Sequence, residues 1–172
     1  MEFAQAWRDH HVWMSQTKRR RMHYRFTRMI RDRTFFITTV TWQRTPLFRN
    51  LRTAELMMDV LKNYQEQKKY ELHEFVIMPD HLHLLIRPAG NISLERAVQL
   101  IKGGFSYRLG KTKRGLVWQE SFTNHRILDA QDYEHHAEYI RMNPIRARLA
   151  DRPESYPYSS AFRGRALFNA AV

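Results

Sequence analysis

The sequence predicts an α+β fold, in which helices pack mainly on one face of a central antiparallel sheet. Segments rich in β-branched and aromatic residues alternate with segments of helical apolar spacing, in the order β-α-β-β-α-β(β)-α. Two of these strands are separated only by the turn Pro79-Asp80, so we expect them to pair antiparallel as a hairpin.

The first half of the chain contains three of the predicted elements. Residues 34–41 are β-branched and aromatic, which indicates a strand. Apolar residues at helical spacing then predict a helix from Leu51 to about Lys69. Residues 70–78 form the second predicted strand, and the hairpin turn leads into the third.

The second half begins with a helix for which Ser93 is a suitable N-cap. Gly103-Gly104 inside it lowers the helix propensity and predicts either a close approach of another backbone or a local kink.

Two short strands and a last helix follow. The strands are predicted at residues 116–118 and 122–128. The helix is predicted over residues 131–142, and we expect Asn143-Pro144 to interrupt or re-initiate it.

The composition predicts one globular domain with a substantial core, because 43% of the 172 residues are hydrophobic and 13% are aromatic. We expect this domain to cover residues 34–150, followed by a C-terminal tail over residues 151–172. Residues 1–33 are rich in arginine and predict a mobile basic arm that orders on nucleic acid. An unstructured leader or a misassigned start are the alternatives for this segment.

The absence of cysteine excludes disulfides, thiolate zinc sites and cysteine nucleophiles, and it fits a reducing cytoplasm. No stretch is apolar enough to span a bilayer, and the N-terminus lacks the apolar core of a signal peptide. We therefore expect a cytoplasmic protein.

The net charge of +12 makes polyanions the natural partners of this chain. Aromatic residues are interleaved with the basic ones, so bases could stack while lysine and arginine neutralise phosphates. This composition favours nucleic acid over a membrane surface, although it names no activity.

Two histidines on the third predicted strand are the first candidate for chemistry. Because side chains alternate along a strand, His81 and His83 project from the same face. Leu82, Leu84 and Ile86 then face a core. Two imidazoles on a rigid strand are half of a metal site, since neutral imidazole is the commonest protein metal ligand. The alternative is a pair of polar residues on a solvated face.

The last predicted helix supplies the second candidate. Tyr139 and Asn143 lie four residues apart and project from one side of that helix. If the helix crosses the histidine face, His81, His83 and Asn143 could offer two nitrogens and one oxygen to a divalent ion. Tyr139 would then stand one turn away as a nucleophile. Alternatively, Tyr139 is an interface tyrosine and Asn143 an N-cap before Pro144.

Three motifs carry a resemblance to a known family: MPDHLHLLI at residues 78–86, VWQESF at 117–122 with HRI at 125–127, and YIRMNPIR at 139–146. In this order they resemble the REP-associated tyrosine transposases, relatives of the single-tyrosine insertion-sequence transposases in the HUH endonuclease superfamily. The resemblance spans roughly residues 33 to 162. Asp80 stands where we expect asparagine in many relatives.

The resemblance implies an HUH or ferredoxin-like sheet with the His-x-His pair on a central strand. It also implies that His81, His83 and Asn143 bind Mg²⁺ or Mn²⁺, and that Tyr139 is the nucleophile of a single-stranded DNA endonuclease and transposase. The implied partner is a REP-like DNA hairpin with a short flanking recognition sequence, without a membrane. A monomer is favoured over a homodimer. The candidate phosphate contacts are Arg87, Lys102, Arg108, Lys111, Lys113, Arg114, Arg126, Arg141 and Arg146.

Other functions remain open at this point. A histidine-triad nucleotide hydrolase also carries His-x-His in a strand, but it requires a third histidine where this chain has Leu85. A non-catalytic, structure-specific nucleic-acid-binding protein on a transposase scaffold, or an RNA-binding structural protein, would share the basic composition. If either of these two binding functions is correct, changing Tyr139 to phenylalanine should remove no activity.

Overall fold

The computed structural model describes residues 33–110 and 116–162. These residues form a four-stranded antiparallel sheet and three α-helices, so the predicted α+β class is confirmed. In chain order the elements are β1 (Phe35–Val40), α1 (Leu51–Glu66), β2 (Tyr70–Ile77), β3 (His81–Pro88), α2 (Leu94–Leu109), β4 (Thr123–Arg126) and α3 (Ala130–Arg146). The predicted N-terminal arm lies outside the described residues.

The strands are arranged in the order β2-β3-β1-β4, and every neighbouring pair is antiparallel. The hairpin between β2 and β3 forms as predicted, and it is closed by a hydrogen bond of 2.8 Å from the Met78 N–H to the His81 carbonyl. Because β3 lies between β2 and β1, the strand that carries the two histidines is held on both sides. The predicted strand at residues 116–118 is a single bridge between Thr41 and Trp118.

Helices α1 and α2 contact each other and cover one face of the sheet. Asn50 caps α1 by accepting the Arg52 N–H, and Ser93 caps α2 by accepting the Arg96 N–H, as its sequence predicts. The sheet contributes alternate residues to this core because strand side chains alternate between the two faces. The buried strand residues on this side include Ile37, Phe75, Ile77, Leu82, Leu84 and Ile86.

Helix α3 lies on the opposite face of the sheet. Ala137 and Ile140 are fully buried there, in a smaller cluster with Val76 and Leu85 from the strands. Two helices therefore share one face, while the third helix covers the face toward which the histidines point. Within residues 33–110 and 116–162, no helix combines the length and apolar character needed to cross a membrane.

The interruption predicted at Asn143-Pro144 is wrong, because α3 continues to Arg146. The Ala147 N–H still bonds the Asn143 carbonyl at 3.0 Å, so the helical pattern persists through this turn. Pro144 removes one backbone donor, which is costly in a helix interior. Here it lies in the last turn and is buried, so packing offsets the loss. Asn143 is consequently an interior helical residue and not an N-cap.

The segment after α3 covers the outer edge of β2. The Ile77 N–H donates to the Tyr158 carbonyl at 2.8 Å, and the Ser160 N–H donates to the Phe75 carbonyl at 3.0 Å. The Tyr156 hydroxyl also donates to the Ile77 carbonyl, at 2.8 Å. This part of the predicted tail therefore satisfies an edge strand that would otherwise expose unpaired backbone groups.

Candidate active site

The two histidines of β3 face α3, and their rings contact each other. The ring centroids of His81 and His83 lie 4.7 Å apart with the planes at 75°. His83 is buried, with 5% exposure, whereas His81 is half-buried. The strand alternation that predicts this arrangement also turns Leu82 and Leu84 into the opposite core.

Each imidazole is held through its Nδ1 atom. His81 Nδ1 lies 2.5 Å from Asp80 Oδ1, and His83 Nδ1 lies 2.8 Å from Thr38 Oγ1. Thr38 is the register partner of His83 across β1 and β3. When both Nδ1 atoms donate a proton, the lone pairs lie on Nε2 of both rings. Partners of this kind orient metal-ligating histidines and fix their tautomer.

Electrostatics determine the charge states of His83 and Asp80. Burial lowers the pKa of His83 to about 3, and the neighbouring His81 acts in the same direction. The His83 ring is therefore neutral at physiological pH. Burial alone would raise the pKa of Asp80, but hydrogen bonds from His81 and Arg44 outweigh it and lower the pKa. Arg44 Nη1 lies 3.0 Å from Asp80 Oδ2, so the carboxylate is ionised and paired on both oxygens.

Tyr139 of α3 meets the histidine face. Its ring centroid lies 5.1 Å from that of His83 and 5.8 Å from that of Phe36, in edge-to-face geometry. The Arg146 guanidinium carbon lies 5.3 Å from the centre of the Tyr139 ring, within cation–π range. Tyr139 is half-buried, so its ring is fixed by packing while part of the residue is accessible to solvent.

Asn143 follows Tyr139 by one helical turn and is buried, with 9% exposure. A carboxamide oxygen and two imidazole nitrogens would together offer a mixed nitrogen and oxygen donor set. Such a set, without thiolates, fits a divalent ion such as Mn²⁺ or Mg²⁺. The chemistry of the residues therefore fits the implied metal.

Three of the predicted phosphate contacts are engaged within the protein. Arg87 pairs with Glu71. Lys102 Nζ donates to the Gln119 carbonyl at 2.5 Å, and burial lowers the pKa of this lysine. Arg141 has two acidic neighbours, Glu74 and Glu134.

Arg141 Nη1 lies 2.9 Å from Glu74 Oε1, and its Nη2 lies 3.6 Å from Glu134 Oε2. Arg108 and Arg126 are exposed, which leaves them accessible to a phosphate backbone. The remaining predicted contacts Lys111, Lys113 and Arg114 lie outside the described residues.

Thr38 and Arg44 are site residues that the sequence analysis missed. Neither carries a local signal: Thr38 is one of several β-branched residues of β1, and Arg44 lies in a short turn between β1 and α1. Their roles depend on the pairing of β1 with β3, which a single sequence does not specify.

Comparison with known proteins identifies the family. The family model described as "Transposase IS200 like" matches residues 31–143, more than half of the 172-residue chain. The matched range includes the two histidines, Tyr139 and Asn143. The chain belongs to this family. The resemblance drawn from the three sequence motifs is thus confirmed, and the family supports a transposase-type function in DNA processing.

Similar proteins extend this assignment. A REP-associated tyrosine transposase of Escherichia coli K12 is 25% identical over 138 residues, covering 76% of this chain and 82% of that protein. A Haemophilus influenzae Rd protein, provisionally named a REP-associated tyrosine transposase, is 28% identical over 141 residues. The match covers 75% of this chain and 80% of that protein. The solved structure of a REP-associated tyrosine transposase bound to a REP hairpin superposes with a TM-score of 0.62 and 24% identity, covering 80% and 82%. That likeness confirms the fold.

Proposed function

We propose that this protein cleaves and rejoins single-stranded DNA next to a hairpin, through a covalent 5′-phosphotyrosine on Tyr139. The observation that carries the proposal is the 5.1 Å separation between the ring centroids of Tyr139 and His83, on the sheet face that also bears His81. A phenol beside two metal-binding imidazoles is suited to metal-assisted phosphodiester transfer.

In the proposed reaction, Tyr139 Oη attacks the scissile phosphorus in line with the leaving 3′ oxygen. The bond from phosphorus to Oη forms while the bond from phosphorus to the 3′ oxygen breaks. The phenol proton passes to solvent, and the 3′ oxygen takes up a proton to become a free hydroxyl. One phosphodiester replaces another, so a 3′-hydroxyl can reverse the step and join strands.

His81, His83 and Asn143 would hold a divalent ion beside this phenol. Bound there, the ion would supply Lewis-acid polarisation of the scissile phosphate. The protein itself prepares the ligands, because Asp80 and Thr38 fix the two ring orientations before any ion arrives. The low pKa of His83 also means that no proton competes for that ring near neutral pH.

Arg146 is the residue that we assign to positioning Tyr139. Its guanidinium lies over the phenol ring, where a cation–π contact restricts ring rotation. The same guanidinium is exposed and could contact the phosphate that Tyr139 attacks. A lysine at this position would keep the charge but lose the planar, bidentate geometry.

Hairpin-bearing DNA is the substrate that the comparisons favour. The E. coli relative is named for its association with REP sequences, and the superposed transposase is bound to a REP hairpin. The net charge of +12 supports a polyanionic partner for this chain. A single strand next to the hairpin would let its backbone reach a phenol that lies between a sheet and a helix.

Covalent capture of labelled, hairpin-bearing single-stranded DNA in the presence of Mn²⁺ tests the proposal. We expect an adduct that survives denaturing electrophoresis and that falls by at least about a thousandfold in Tyr139→Phe, because the nucleophilic oxygen is removed. Chelation should abolish cleavage while leaving salt-sensitive DNA binding, since the basic side chains need no metal.

Tyr107→Phe is the matched control, because Tyr107 is 87% exposed on α2, on the other side of the sheet. It should form the adduct at the wild-type level. Equal DNA binding by all three proteins, with no adduct from any of them, would instead identify a binding module on a transposase scaffold.

A further inference from the structure

A second group of imidazoles lies at the β4 edge of the sheet. His125 is on β4, while Asp132 and His136 stand one turn apart on α3. His125 Nε2 lies 2.8 Å from Asp132 Oδ2, and His136 Nδ1 lies 3.0 Å from Asp132 Oδ1. Ligand atoms from all three residues lie within 4.8 Å of one another. Two imidazole nitrogens therefore converge on one carboxylate.

The group is held together by more than these two contacts. The rings of His125 and His136 stack with centroids 4.7 Å apart and planes at 17°, so both present a nitrogen to the same carboxylate. Asp132 Oδ2 also accepts the Leu128 N–H at 2.9 Å. The Leu128 N–H and the two imidazoles therefore hold both carboxylate oxygens of Asp132 in place.

We propose that His125, Asp132 and His136 form a transition-metal site of the zinc type, separate from the ion expected at the β3 histidines. Two imidazoles and one carboxylate are a common zinc ligand set, in which water completes the tetrahedron.

The two spacings that involve Asp132 suit such an ion. Bonds of about 2.0–2.2 Å place tetrahedral ligand atoms about 3.4 Å apart. The contacts of 2.8 and 3.0 Å to Asp132 therefore need to open by about half an ångström. One imidazole must also rotate out of the stack, because the two ring planes are nearly parallel and ligating lone pairs lie in the ring plane. His136 Nδ1 also lies 2.9 Å from the Asp132 carbonyl, and metal binding would replace that contact. The His125 side chain is exposed, which gives an ion a path from solvent.

An ion at this site would join the β4 edge to the helix that carries Tyr139. Strand β4 has four residues, all exposed, and among the described strands it pairs with β1 alone. His136 precedes Tyr139 by three residues. The ring of Phe36 contacts both, with centroid distances of 4.7 Å to His136 and 5.8 Å to Tyr139. We therefore expect the ion to stabilise β4 and to steady the helix beside the phenol.

Co²⁺ binding to the full chain, purified without a histidine tag and stripped with a chelator, tests this site. The probe is titrated into the double variant His81→Ala, His83→Ala, so that the β3 imidazoles cannot contribute. We expect one equivalent of Co²⁺ with the visible absorption of a tetrahedral complex. Adding His136→Ala should weaken binding by more than about tenfold, since even an outer partner of a metal site has an effect of that size.

His135→Ala is the matched control, because His135 is the exposed neighbour on the same helix and lies outside the ligand set. It should bind Co²⁺ as the double variant does. Circular dichroism checks the fold of each protein, and His125→Gln tests the set independently if His136→Ala fails to fold. Equal binding in the His135 and His136 variants, or no binding by the folded double variant, would overturn the site. Neither result bears on cleavage by Tyr139.

Discussion

The two faces of the sheet differ in chemistry although they are made from the same strands. On the side of α1 and α2, β3 contributes Leu82, Leu84 and Ile86, all buried in an apolar core. On the side of α3, the same strand contributes His81 and His83, which contact polar and aromatic neighbours. Because alternation separates the two sets, one face can be optimised for stability and the other for chemistry. The effect of a substitution should therefore depend on the face it alters.

Phe105→Ala should produce the largest change in stability. Phe105 of α2 is fully buried and packs against Phe48 and Trp118. Truncating a buried phenylalanine costs about 3–5 kcal/mol, because apolar contacts are lost and a cavity remains. Urea unfolding measures the change, and Mn²⁺ affinity of the folded fraction should stay at the wild-type level. A large loss of metal affinity in the folded protein would show that the two faces are coupled.

Asp80→Asn alters the face that bears the two histidines. It should weaken metal binding, whereas Phe105→Ala should lower stability and leave metal binding unchanged. Asparagine retains an acceptor for His81 but loses the charge that pairs with His81 and Arg44. Mutating a partner that orients a ligand weakens metal binding by about 10–100-fold, and we expect the low end of this range because asparagine keeps the acceptor. Calorimetric titration with Mn²⁺ checks this expectation. Arg44→Gln removes a contact one step further from the ligands and should weaken binding less; the reverse order would contradict the assigned role of Asp80.

Thr38 and Thr39 are neighbours on β1 that point to opposite faces, so substituting each in turn compares the two faces directly. Thr38 faces α3 and contacts His83 Nδ1, whereas Thr39 is paired with Leu82 on the apolar side. Thr38→Val leaves a buried imidazole nitrogen without its partner, at a cost of about 1–3 kcal/mol. The buried Thr39 hydroxyl has no hydrogen-bond partner in the described part of the chain. Thr39→Val should therefore be neutral or stabilising. Thermal unfolding of both variants measures the difference, and equal destabilisation would refute it.

The placement of residues on faces was predictable, whereas contacts between distant strands were not. Alternation along β3 is a local property, so the shared face of His81 and His83 could be read from the sequence. The contact of Thr38 with His83 spans 45 positions and depends on strand register. Lys102 was predicted to contact phosphate because of its charge alone. Its hydrogen bonds to loop carbonyls depend on how α2 packs, which composition does not encode.

The glycine pair in α2 makes the smallest and most discriminating test. The helix runs through both glycines, and the close approach at Gly104 is to the ring of Tyr64 in α1. A Cβ on Gly104 would lie 2.7 Å from Tyr64 Cε2, whereas a Cβ on Gly103 meets nothing within 4 Å. Gly103→Ala should therefore stabilise the protein by about 0.5–1 kcal/mol through helix propensity. Gly104→Ala should be less stable than Gly103→Ala, because overpacking opposes the same gain.

A double-mutant cycle identifies Tyr64 as the cause. In a Tyr64→Ala background the ring is absent, so Gly104→Ala should recover the same gain of about 0.5–1 kcal/mol that Gly103→Ala shows. Urea unfolding of the four proteins gives the coupling energy. If Gly104→Ala remains unfavourable without the ring, then close contact between α1 and α2 is not what requires glycine there. The glycine would instead serve something outside this helix pair, such as the approach of another backbone.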